Sequence, residues 1–305
     1  MIRRLVVLAV TIAMVAAAAG WFLTQPQVVS ASALKPHTAD LANGRTMFAI
    51  GGCSSCHAVP QHDDKTRLGG GLGLRSPFGT FYVPNISSDP TDGIGSWSEA
   101  QFVTALTKGT SPAGSHYYPA FPYTSYQRIT PDDAIDLLAF LKTLPAVKGK
   151  VRDHDLGFPF NIRRGLGAWK LLYLDGQPFR PDPARSAAWN RGAYLVNGPG
   201  HCAECHSPRN ALGAIVAGQR FTGGPPPEGK GWVPNITQFG LKDWSEKDIA
   251  YLLETGQNPE GDSVGSSMAE VVRNTAQLAA DDRAAIAAYI KTLPAVEGPK
   301  PPRKK

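Results

Sequence analysis

The body of this chain is written twice. Cys53-Ser54-Ser55-Cys56-His57 returns 149 residues later as Cys202-Ala203-Glu204-Cys205-His206. Val83-Pro84-Asn85-Ile86 returns as Val233-Pro234-Asn235-Ile236, offset 150, and Trp97-Ser98-Glu99 as Trp244-Ser245-Glu246, offset 147. Leu144-Pro145-Ala146-Val147 returns as Leu293-Pro294-Ala295-Val296, offset 149. Landmarks kept in one order at a domain-sized period mean a tandem duplication and exclude a stacked solenoid. Each copy has about 110 residues, enough for one modest core. With 42% hydrophobic and 18% charged residues the chain is too apolar to be disordered.

Helix signals fall at matching places in the copies. Asp40 can cap a helix that stops at Gly51-Gly52. Ser96 with Glu99, and Asp243 with Glu246, form candidate capping boxes ahead of apolar runs. Thr130-Pro131 opens another helix, and Pro145 and Pro294 end the closing ones. The intervening stretches are rich in Gly and Pro and show no sustained strand alternation. The expected fold is all-α, with small helical domains at 39–147 and 184–298 joined by a connector at 148–183. Residues 1–38 form a leader with a short linker, and 299–305 a basic tail.

The chemistry lies in the cysteines. All four sit in the two Cys-x-x-Cys-His motifs, the pattern of c-type haem attachment. Thiols one helical turn apart can bond both vinyl groups of one porphyrin, and the next residue then lies under the iron. Two haem c groups are therefore expected, attached at Cys53 and Cys56 and at Cys202 and Cys205, with His57 and His206 as proximal ligands. A structural zinc site would want four ligands where each motif offers three, and a thioredoxin-like pair would sit in a βαβ unit. Met268, after the Gly/Ser-rich loop 261–267, is the candidate for the far side of the second iron. The first copy has no methionine in that loop. His116 is its only strong neutral donor and the candidate ligand there, with a Tyr, a water or an open site as alternatives. Thioether ligation raises a haem's potential, so His116 at one iron and Met268 at the other would put the first haem lower. Met47 reads as core packing, His201 as a haem-edge residue, and Arg75 and Arg209 as candidate partners for haem propionates.

Arg3 and Arg4 precede a charge-free run from Leu5 to Leu23. That is an export signal long enough to stay as a membrane anchor, and it predicts a body on the periplasmic side of a bacterial inner membrane. The net charge of +6 is concentrated at the two ends, leaving a near-neutral body with no basic stripe for nucleic acid.

The two motifs, with Gly79-Thr80-Phe81-Tyr82-Val83-Pro84-Asn85-Ile86, Asp92-Gly93-Ile94-Gly95-Ser96-Trp97-Ser98-Glu99 and Tyr118-Pro119-Ala120-Phe121-Pro122-Tyr123, resemble the cytochrome c subunits of membrane-bound bacterial alcohol and gluconate dehydrogenases over about residues 39–297. The connector, with Asn161-Ile162-Arg163-Arg164 and Trp169-Lys170, resembles their inter-domain segment. The resemblance implies tandem class I cytochrome c-like domains that take single electrons from a dehydrogenase and pass them to quinone, a soluble cytochrome or an oxidase. Those subunits usually carry three haems where this chain has motifs for two, and they commonly have a methionine ligating the first haem at the position of Phe121. A second reading, from another class, is a dihaem enzyme acting on small sulfur compounds or peroxide at a weakly ligated first haem.

Overall fold

The computed structural model describes residues 1–226 and 231–301; residues 302–305 of the basic tail lie outside it. The first part of the chain holds α1 (Ile2–Leu23), α2 (Leu41–Ile50), α3 (Cys53–His57), β1 (Gly73–Ser76), β2 (Gly79–Tyr82), α4 (Glu99–Lys108), α5 (Tyr123–Tyr126) and α6 (Pro131–Thr143). Then come β3 (Asp155–Leu156), α7 (Leu166–Tyr173), α8 (Ala187–Asn197), α9 (Glu246–Thr255), α10 (Ser267–Thr275) and α11 (Ala280–Ile290). The duplication is visible in space, because α2 lies across α6 as α8 lies across α11.

Asp40 caps α2 by accepting from the backbone of Ala42 and Asn43, and Thr130 caps α6 ahead of Pro131. The capping boxes sit two residues later than the spacing suggested. Ser98 pairs with Gln101 on α4, and Ser245 pairs with Asp248 on α9. Ser96 instead donates to the Pro90 carbonyl at 2.8 Å. The shift places Trp97 and Trp244 directly before each cap, where an apolar residue staples the chain to the helix, and both pack against the core.

The all-α expectation needs one correction. β1, β2 and β3 form a small antiparallel sheet in that order, with Gly73 opposite Tyr82 and Gly79 opposite Leu156. Strands of four and two residues are too short to set up a readable alternation. Gly79 is needed there. Its φ is +126°, and a Cβ would run into the Asp155 backbone of β3.

Gly44 on α2 and Gly192 on α8 sit at the two helix crossings. A Cβ on either would overlap the backbone carbonyl of Asp136 or Ala285, so only glycine allows this approach. One apolar core runs through both halves, from Met47, Leu68, Val103 and Leu141 to Leu195, Ile249 and Ile286.

α1 has 22 residues, a mean hydropathy of 2.4 over its most apolar stretch and no buried residue, so it is long and apolar enough to cross a membrane. Its C-terminal end is held by the connector. Arg164 donates to the Trp21 carbonyl at 2.6 Å, lies over the Trp21 ring at 4.5 Å and also donates to the Thr24 carbonyl. The chain then runs along the first half, where Val29 N donates to Thr104 Oγ1 at 2.9 Å and Asp40 N to Asp136 Oδ1 at 2.8 Å.

Candidate functional site

Each Cys-x-x-Cys-His segment begins at a left-handed residue. Gly52, φ +57°, turns the chain from α2 into α3. His201 holds the equivalent place with φ +38° and leads into a 3-10 turn at Cys202–Glu204. Histidine is among the few residue types that tolerate this region. Its Nε2 lies 3.2 Å from the Gly51 carbonyl, and its ring meets Tyr126 at 5.5 Å, so His201 faces the edge of the first motif.

The two motif histidines are oriented alike. His57 Nδ1 lies 2.8 Å from the Pro84 carbonyl, and His206 Nδ1 lies 2.9 Å from that of Pro234. A carbonyl only accepts, so Nδ1 carries the hydrogen and Nε2 is left with its lone pair. Burial pulls His57 down to about 4 and lowers His206 as well, keeping both rings neutral at physiological pH. A neutral imidazole fixed through Nδ1 and open at Nε2 is the donor a haem iron takes. The residues fit the group.

The roles of Pro84, Asn85, Pro234 and Asn235 are not legible in the sequence, where these residues stand as landmarks only. Asn85 Nδ2 donates to the Val147 carbonyl at 2.7 Å, and Asn235 Nδ2 to that of Val296 at 2.8 Å. Three of the four repeated landmarks thus form one chain of contacts, from imidazole to proline carbonyl to the segment that closes each copy. The signal that points to it is their constant offset.

The loops after α4 and α9 share a backbone pattern at an offset of 147. Tyr117 N bonds to Gly109 O as Val264 N bonds to Gly256 O, and the bridge Thr110–His116 matches Gln257–Ser263. Counting on from either bridge, Phe121 falls where Met268 falls, and both pack against the core. His116 stands five residues earlier, equivalent to Ser263. It is buried, its Nε2 lies 3.0 Å from the Thr24 carbonyl at the end of α1, and its Nδ1 has no partner. Arg209 is committed to Glu204 at 2.7 Å, while Arg75 is exposed on β1. Met47 is fully buried in the core.

The two motifs brace each other. Ser54 and Ser55, between the first pair of cysteines, bond Asn274 of α10 at 3.1 and 2.7 Å. Glu204, between the second pair, accepts from Thr124 and Ser125 at 2.8 Å each. The arrangement is reciprocal, since each segment rests on a helix of the other copy, α10 or α5.

Two duplicated helical domains, each with a covalent attachment motif and an oriented imidazole, define a dihaem c-type cytochrome. The cytochrome c family model matches residues 41–145 and 189–294, and the chain belongs to that family. It is 48% identical over 297 residues to a diheme cytochrome c-type protein of Cereibacter sphaeroides, covering 97% of this chain and 100% of the relative. It is 40% identical over 274 residues to one of the subunits of the nicotinate dehydrogenase of Pseudomonas putida, covering 89% of this chain and 22% of that one. Against the fructose dehydrogenase cytochrome subunit of Gluconobacter japonicus it is 35% identical over 283 residues, covering 89% and 55%. The chain thus spans the whole of the first relative and about half or less of the other two. It carries two covalently bound haem c groups, and the named subunits support an electron-transfer role.

Proposed function

We propose that this chain is the electron-carrying cytochrome of a dehydrogenase on the periplasmic side of a bacterial inner membrane, held there by α1. Cys53 and Cys56 tether the first haem and Cys202 and Cys205 the second. His57 and His206 would offer Nε2 to the irons, and Met268 its thioether to the second. The haem supplies one-electron chemistry, while the chain sets where each haem sits and what its iron sees.

The observation that carries this reading is the mutual bracing of the two attachment segments through Ser54, Ser55 and Asn274, and through Glu204, Thr124 and Ser125. It ties each tethering segment to the opposite half of the chain, which suits passage of an electron within one molecule. The donor is a dehydrogenase, and the acceptor a quinone, a soluble cytochrome or an oxidase.

The test uses anaerobic membrane vesicles containing the full chain. Alcohol, fructose, gluconate and nicotinate are added in turn, and the reduced haem band is followed. Reduction of both haems by one of them, reversed on admitting air, is the expected result. Haems that stay oxidised with all four, although dithionite reduces them, would remove the dehydrogenase link.

A further inference from the structure

The two copies differ at one position of a loop whose backbone pattern they share. The two loops keep the same bridge, the same glycine cap and the same count of residues, yet one delivers Met268 and the other Phe121. A phenyl ring has no lone pair to give. Around Phe121 lie Tyr117 at 5.6 Å, Tyr126 at 5.6 Å and Tyr123 at 6.4 Å.

Tyr123 and Tyr126 are buried and Tyr117 half-buried, and burial raises all three phenols, Tyr117 to about 12. Tyr126 already donates to the Gly51 carbonyl at 3.4 Å. Tyr123 is fully buried and its hydroxyl has no partner, a stranded donor within the aromatic cluster. His116 lies five residues upstream and spends Nε2 on the carbonyl that ends α1.

We propose that Phe121 leaves the outer face of the first haem open to a small neutral iron-binding molecule of the diatomic class, while Met268 closes that face of the second. Phe121, Tyr117 and Tyr126 themselves present rings and no charged group to such a guest. The inference rests on His57 and His206 being the inner ligands.

The probe is carbon monoxide, added to the dithionite-reduced full chain, with uptake read from the Soret shift. One molecule per two haems is expected, rising to two in Met268→Ala. Phe121→Met should abolish uptake and give the first haem a thioether-to-iron band in the far red when oxidised. His116→Gln should leave uptake unchanged. A wild-type chain that takes up no carbon monoxide, or takes up two, overturns the proposal. So does a His116→Gln variant that opens a previously closed first haem, since His116 would then be its ligand through Nδ1. Loss of the inner-ligand assignment would look different, because His57→Ala would then leave the spectrum of the reduced chain unaltered.

Discussion

At the scale of single residues, much of the order comes from side chains that fix a neighbour's backbone. His37 is one example. Its ring lies 2.7 Å from Asp136 Oδ1, and the same carboxylate accepts from Asp40 N and Asn43 Nδ2, tying the segment after α1 to α6. The hydrogen bond to Asp136 raises the pKa of His37 above 6.5. The folded state therefore holds this proton more tightly than the unfolded one. The stabilisation is complete below pH 6.5 and fades as pH climbs through the raised folded value. Urea unfolding across pH 6 to 8 should show that decline in the wild type, and His37→Gln should flatten it. The motif histidines follow the same logic of a fixed nitrogen, through Pro84 and Pro234. Their partners are invisible in the sequence because a backbone carbonyl belongs to every residue and carries no signature.

At the scale of elements, close helix crossings set what each position tolerates. Gly192 sits where α8 presses on α11, so Gly192→Ala should destabilise by about 1–3 kcal/mol through overpacking. Gly165, before α7, has φ −60° and open space around it. There the same change should be neutral or stabilising by about 0.4–1 kcal/mol, through a less mobile unfolded chain. Denaturation midpoints of the two variants separate the cases by sign. The helices are readable in the sequence because Asp40 and Thr130 are strong caps, and the apolar runs behind Ser98 and Ser245 have the right period. The capping boxes fall two residues from their expected places because Ser96–Glu99 and Ser98–Gln101 satisfy the same pattern, and only the burial of Trp97 decides between them. The sheet is unreadable because β1 and β2 are each shorter than one convincing alternation. The equivalence of Phe121 and Met268 becomes firm only when the bridges at Thr110 and Gln257 supply a common starting point for the count.

At the scale of the whole molecule, the duplicated halves are not independent modules. Glu204 belongs to the second motif, pairs with Arg209 and accepts two hydroxyl hydrogen bonds from the first half. It is 9% exposed. Glu204→Ala would leave two hydroxyls without their acceptor and Arg209 with only the Gly213 and Glu204 carbonyls, costing about 1–3 kcal/mol. Because the lost contacts span both copies, guanidinium unfolding should shift to lower midpoint as one transition, whether followed at the first haem or the second. Separate transitions would mean the halves fold apart. The mutual bracing also constrains how the protein is made. Ser54, Ser55 and Glu204 lie between the very thiols that must be loaded with porphyrin, and in the finished molecule each is covered by the opposite half. Porphyrin attached at either motif therefore fixes a segment that also rests on the opposite half, so loading of the motifs and docking of the halves are coupled.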